Sequence, residues 1–154
     1  MKIVIAAEKH IPEIIELWKE FMDFQKDIDP YLGRGEDGHI KFENQLRDLM
    51  KSGDNLILVA LDKDHVIGYS VSLSPRTLVL KTETYGFISD MAVQSNYRRQ
   101  GIGEQMLAKI YEWFESRNID RIELTVVAKN QIGYSFWRKH GFKDYIHRLY
   151  LDRG

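Results

Sequence analysis

The segment Tyr97-Arg98-Arg99-Gln100-Gly101-Ile102-Gly103 sets two guanidinium groups beside two glycines, directly ahead of a run with helical periodicity. Glycines at such a junction let the main chain come close to a ligand. The first free N–H groups of the helix, together with its dipole, attract an anion. Arg98 and Arg99 add formal positive charge and can bond phosphate oxygens. The physical reading is a phosphate-bearing ligand, although a Gly-x-Gly with two arginines, taken alone, equally describes a tight turn capping a helix. Two other phosphate motifs are excluded. There is no GxxxxGK(S/T) loop, and Met106 stands where a dinucleotide-binding GxGxxG would need its third glycine.

The elements that must hold this segment follow from periodicity. Residues 2 to 6 read as a strand, and Pro12 opens a helix with Ile11, Ile14, Ile15, Trp18, Phe21 and Met22 at helical spacing. A polar stretch from Asp27 to Gly38 separates it from a second helix marked by Phe42, Leu46, Leu49 and Met50. Asn55 to Leu61 and Val66 to Leu73 form an antiparallel hairpin around a polar turn at residues 62 to 64. Phe87 to Val93 is a further strand. It runs through the loop of residues 94 to 100 into a third helix, about Gly101 to Arg117, whose apolar face is Leu107, Ile110, Tyr111 and Phe114. Arg121 to Val127 alternates as the next strand, Asn130 to His140 is a last helix stopped by Gly141, and Phe142 to Leu151 reads as a closing strand. The phosphate segment therefore sits at a strand-to-helix junction late in the chain, after an antiparallel hairpin, rather than opening a doubly wound parallel sheet.

Bulk properties bound the rest. A chain of 154 residues with 44% hydrophobic and 29% charged residues is expected to fold as one soluble domain over residues 1 to 154. No internal repeat or linker marks a boundary. Twenty-two basic against 23 acidic residues give a formal net charge of -1, without the basic excess of a dedicated nucleic-acid binder. The absence of cysteine removes thiolate metal sites and a cysteine nucleophile. The amino terminus has no signal-peptide core, and no stretch approaches membrane-spanning length, so the expected partners include no membrane and the expected location is the cytoplasm. His10, His39, His65, His140 and His147 are scattered without the spacing of a zinc motif, and no metal is expected.

Arg98-x-x-Gly101-x-Gly103 matches the (Q/R)xxGx(G/A) signature of the GCN5-related N-acetyltransferases, the GNAT superfamily. The strand Ile88-Ser89-Asp90-Met91-Ala92-Val93 resembles that family's fourth strand. Asn130, followed by Phe136-Trp137-Arg138-Lys139-His140-Gly141-Phe142, is similar to its Nxxxxx(L/F)YxxxGF block at matching spacing. The resemblance implies an α/β (α+β) fold with a central mixed, mostly antiparallel sheet, strands 4 and 5 splayed apart, and about four helices. It implies acetyl-coenzyme A as cosubstrate, its pantetheine arm pairing with the main chain of Met91, Ala92 and Val93. The pyrophosphate would rest on amides of Arg99, Gln100, Gly101, Ile102, Gly103 and Glu104, with Arg98 and Arg99 beside it and Asn130 near the reacting end. The side chain of Glu104 would repel a pyrophosphate, which leaves it a main-chain role.

An acetyl transfer needs a neutral amine, and a free alkylamine with a pKa of about 10.4 is mostly protonated at neutral pH. The family often places a tyrosine at the position of Trp137 to protonate the departing thiolate, and an indole N–H does not ionise in the accessible range. Trp137 is accordingly expected to wall the pantetheine channel or fill core. Tyr134, one turn earlier on the same helix, is the substitute candidate acid. Asp90 is the candidate base or amine-holding group, regular alternation sending Ser89 to the opposite face; a structural carboxylate, or proton transfer through ordered water, is the alternative. The acidic excess of Asp27, Asp29, Glu36 and Asp37 over Lys26 and Arg34, with Tyr31 among them, suggests a cationic acceptor, a small amine or a protein amine; a solvated loop is the alternative. A coenzyme A-binding regulator without turnover is the rival functional reading. The apolar content of Tyr145, Ile146, Leu149 and Tyr150 hints at a homodimer.

Overall fold

The computed structural model describes every residue from Met1 to Gly154. Its sheet has five strands in the order β1-β2-β3-β4-β5: β1 Lys2–Ile5, β2 Asn55–Asp62, β3 His65–Leu73, β4 Gly86–Val93 and β5 Ile122–Glu123. Neighbours pair antiparallel except β4 with β5, which are parallel. Four helices complete the chain: α1 Ile11–Ile28, α2 Gly38–Met50, α3 Ile102–Ser116 and α4 Gln131–Lys139. The mixed, mostly antiparallel sheet with four helices is the expected architecture.

Both faces of the sheet are covered, which explains why β2 reads as an unbroken apolar run instead of alternating with polar residues. Ile57, Val59 and Leu61 of β2 join Ile11, Ile14, Ile15 and Trp18 of α1 and Phe42 and Leu46 of α2 in one core layer. Leu56, Leu58 and Ala60 point the other way, to Ile102, Met106, Leu107, Ile110 and Phe114 of α3. Each helix supplies a stripe spaced three or four residues apart, the spacing that keeps one face turned to the sheet. Trp18 stacks on Phe42 with ring centroids 5.0 Å apart, locking α1 to α2.

Strands β4 and β5 touch only where they begin. Gly86 pairs with Ile122 and Phe87 with Glu123, and no further pairing follows. From Ile88 onward the β5-facing edge of β4 has no strand beside it, so the expected splay is present. Gly86 is required at this junction because an added Cβ would lie 2.7 Å from two ring carbons of Phe114. Its absence lets α3 press its aromatic directly onto the start of β4.

Two expectations are corrected. Strand β5 covers only Ile122–Glu123 instead of residues 121 to 127, because the diverging β4 offers it no further ladder partner. The closing strand over Phe142 to Leu151 does not form, and residues 141 to 154 carry no regular helix or strand. An extended segment becomes a strand only by exchanging hydrogen bonds with a neighbour, and none lies alongside it within the chain. No helix is long and apolar enough to cross a membrane.

Replacing Gly86 by alanine should lower the unfolding free energy by about 1–3 kcal/mol through overpacking against Phe114. The measurement is a urea titration, where the midpoint falls at unchanged slope. An unmoved midpoint would mean that Phe114 yields without cost.

Candidate functional site

At the start of α3 the main chain is shaped as an anion cradle. Arg99 and Gly101 both have positive φ, 63° and 79°, and such alternation points successive N–H groups inward. The main-chain N–H groups of the six residues from Arg99 to Glu104 donate to no backbone acceptor in the protein. Gly101 meets no atom within 4 Å of an added Cβ, so glycine is needed there for its left-handed conformation and not for space. Gly103 has the opposite reason: a Cβ would sit 3.2 Å from the Phe136 ring of α4. The Arg98 Nε donates to the Val93 carbonyl at 3.2 Å and its guanidinium lies 5.7 Å from the Phe24 ring centroid, while Arg99 and Gln100 are exposed. Glu104 turns its carboxylate away to α4, 3.8 Å from Lys139 Nζ and 3.6 Å from His140 Nε2. That direction fits a main-chain role for Glu104.

The unpaired edge of β4 carries Met91, Ala92 and Val93, all partly exposed. Across the opening, Asn130 is buried and caps α4, its Oδ1 accepting the Gly133 N–H at 3.0 Å. Gly133 permits this closeness, since a Cβ would meet the Asn130 amide nitrogen at 2.5 Å. The side-chain carbonyl of Asn130 is thereby committed to the helix, and its amide nitrogen donates to no group of the protein. Trp137 is half-buried, edge-on to Phe136 and Phe142, and packs against the α3 core layer.

Asp90 lies on an irregularity of β4. Val71 pairs with Asp90 and Ser72 with Ile88, which leaves Ser89 as the extra residue of a bulge. Simple alternation therefore fails here. The bulge sets Asp90 on the α1/α2 side, where the Tyr69 hydroxyl donates to its Oδ2 at 3.2 Å. Burial raises the Asp90 pKa above the ordinary carboxylate value, while hydrogen bonding from Ser89 and Tyr69 pulls it back down. Tyr69 is fully buried, and its pKa stands well above that of a free phenol through burial first and the adjacent Asp90 second. Tyr134 donates to both Asp144 oxygens, at 3.0 and 3.1 Å, a bond that raises its pKa and keeps it protonated.

The segment between α1 and α2 is only partly free to meet a ligand. Asp29 accepts the Tyr31 N–H at 3.1 Å, and Asp23 pairs with Arg34 at 3.2 Å. Asp27, Glu36, Asp37 and Tyr31 are exposed. His39 is half-buried, and its Nδ1 has no partner.

Residues 13–142 match the family model described as the acetyltransferase (GNAT) family. The chain belongs to that family. Among curated proteins, N-alpha-acetyltransferase 30 of Schizosaccharomyces pombe is 29% identical over 96 residues, 61% of this chain and 63% of that protein. This GNAT chain thus spans less than two thirds of the curated relative it matches. Among solved structures, a variant of the BH1408 protein of Bacillus halodurans superposes with a TM-score of 0.89 at 20% identity, covering 99% of both chains. The aminoglycoside N-acetyltransferase AAC(6')-Iy, solved in complex with CoA, gives a TM-score of 0.75 at 15% identity over 99% of this chain and 93% of that one. At such identities these structures speak for the fold.

Sequence reasoning missed Tyr69, Asp144 and Gly133. Tyr69 reads as one apolar residue of an alternating strand, and only the β3–β4 register brings it to Asp90. Asp144 lay inside the presumed closing strand. Gly133 did carry a signal, a helix-weakening glycine three residues after a candidate capping asparagine.

The raised pKa of Asp90 has a consequence for stability. Between its unfolded value of about 3.9 and its higher folded value, the folded protein holds more protons than the unfolded one, so the Asp90 contribution to stability falls as pH rises through that window. Asp90→Asn should lack this fall. Denaturant midpoints of both proteins between acid and neutral pH should diverge in favour of the variant as pH rises, and parallel curves would contradict the assigned environment.

Proposed function

We propose that this chain is an acetyl-CoA-dependent N-acetyltransferase acting on a primary amine, by direct attack of the amine on the thioester. The observation that carries the reading is the row of free amides from Arg99 to Glu104 beside a β4 edge without a neighbouring strand. A diphosphate satisfies the amides, and an amide-bearing pantetheine arm satisfies the edge. Met91, Ala92 and Val93 would hold that arm by their main chain, Asn130 by its free amide nitrogen, and Arg98 and Arg99 would lie near the phosphates. When bound, acetyl-CoA supplies an activated acyl group; the chain's own residues position it and handle protons.

Asp90 is the proposed base. It takes the proton that the amine loses as nitrogen bonds to the acetyl carbon and the carbon–sulfur bond breaks. A carboxylate with an elevated pKa holds such a proton better than an ordinary one. Tyr134 is the proposed acid for the departing thiolate. Its hydroxyl would have to turn from Asp144 toward sulfur, and its raised pKa keeps the proton in place until then. The acceptor is a cationic amine, small or on a protein. The exposed Asp27, Glu36 and Asp37 favour such a partner through long-range attraction. The rival, a coenzyme A-binding regulator without turnover, is kept in view by Trp137.

Titration with acetyl-CoA should raise the melting temperature, since a ligand bound only by the folded state adds about 2.7 kcal/mol at one hundred times its Kd. Gly101→Asp should abolish that shift, through an unfavourable backbone conformation and a carboxylate facing the phosphates. Free thiol should then appear with at least one member of a panel of polyamines, aminoglycosides and peptides. Binding without thiol release across the panel would favour the regulator.

We also propose a homodimer. Ile146, Leu149, Tyr150 and Leu151 are 68 to 92% exposed on a segment that pairs with nothing, whereas Tyr145 just before them is held by the Arg121 guanidinium, 4.7 Å from its ring. A strand-forming segment without a partner and an open β5 edge in one chain are complementary to the same pair in a second copy. Light scattering should give twice the monomer mass, and deletion of residues 146 to 154 should return the monomer. A monomeric intact protein at micromolar concentration would sink the idea.

A further inference from the structure

We propose that Tyr69 is a positioning residue for acetyl transfer, its phenol holding the Asp90 carboxylate in the orientation and protonation state that a base requires. The inference rests on the reading of Asp90 as the base. It stands on three features of geometry. Tyr69 is fully buried, so its hydroxyl cannot turn to solvent for another partner, and Asp90 Oδ2 at 3.2 Å is the only acceptor it meets. The bulge at Ser89 places Asp90 on the Tyr69 side of β4, opposite Val71, at the stretch of strand that has lost its β5 neighbour. The Tyr69 ring is itself wedged by packing, 6.2 Å from Phe42, which stacks on Trp18. The phenol is therefore fixed by the joint of α1 and α2, and of the two Asp90 carboxylate oxygens it engages Oδ2.

No fixed charge does this work instead. The titratable groups on the elements packed over this face are otherwise engaged: Glu13 with the Val66 N–H and His65, Glu20 with the Ser95 N–H, Glu43 with Arg47, and His10 with the Ala7 N–H. His39 of α2 has an unpartnered Nδ1 and does not act on Asp90. The influences on Asp90 are burial, the Ser89 hydroxyl and the Tyr69 hydroxyl. A hydrogen bond donated to a carboxylate favours its ionised form. Removing the phenol oxygen must therefore move the titration of Asp90 to higher pH, so that the base is unready over a wider acid range.

The test compares the parent, Tyr69→Phe and Asp90→Asn in kcat/KM against pH, with one amine acceptor throughout so that the titration of the amine itself cancels. Tyr69→Phe should shift the acid limb upward, with about a tenfold loss on the limb and a much smaller loss on the plateau. The Asp90 carboxyl resonance, followed by carbon-13 NMR without turnover, should move the same way. An unchanged thermal shift with acetyl-CoA checks that the variant is folded. If Asp90→Asn retains both its rate and its acid limb, the base reading fails and the role of Tyr69 with it. If Asp90→Asn loses the limb while Tyr69→Phe leaves both the limb and the Asp90 resonance where they were, the Tyr69 proposal alone is overturned.

Discussion

The structure depends on a sheet left unfinished. After two paired residues, β4 and β5 part, and the facing edge of β4 loses its neighbouring strand. Unpaired backbone groups are costly when buried, so such an edge persists only if water or a ligand reaches it. The rest of the fold keeps the gap open. Phe114 of α3 anchors the start of β4 through Gly86, and Ile102, Met106, Leu107 and Ile110 hold the helix against the sheet beside it. The start of α3, with its free amides, is thus fixed at the end of β4.

The same geometry explains why charge is so unevenly distributed around the site. Positive character collects where the helix begins, from oriented amides and from Arg98 and Arg99, while Glu104 is drawn off toward Lys139 and His140. On the other face of the sheet lies one half-buried carboxylate, Asp90, with the Tyr69 hydroxyl on one oxygen and no cation beside it. A stability-driven design would place a cation there or dispense with the charge, because a partly desolvated carboxylate without a cation opposes folding. The proposed role of Asp90 as base rests on this placement beside the strand gap.

How much of this was legible beforehand follows from what each feature depends on. The shape of the main chain ahead of α3 was readable because glycine before a helical run marks a special backbone position, and Gly101 does adopt the left-handed conformation. The core-facing stripes of α1 and α3 were readable as well, from the helical spacing of Ile11, Ile14, Ile15 and Trp18 and of Leu107, Ile110 and Phe114. The strand over Phe142 to Leu151 failed for a physical reason: alternation describes which faces a strand would present, not whether a neighbour exists to pair with it. The Tyr69–Asp90 contact was hidden because it depends on register and on one extra residue, Ser89, that reverses which face Asp90 occupies. A one-residue slip changes every later side chain's face, and no local pattern announces it.

The substitution of tryptophan at position 137 can now be weighed against its surroundings. Trp137 sits edge-on to both Phe136 and Phe142 and packs against the α3 core layer. A tyrosine there would bring its hydroxyl into the same aromatic cluster, where it would need a partner. The larger indole fills that volume with edge contacts to both rings. Tyr134 is three residues earlier, already tied through Asp144 to the segment that lacks a strand. On α4, position 137 thus serves aromatic packing, while the phenol at 134 is bound to a carboxylate, the feature on which its proposed role as acid rests.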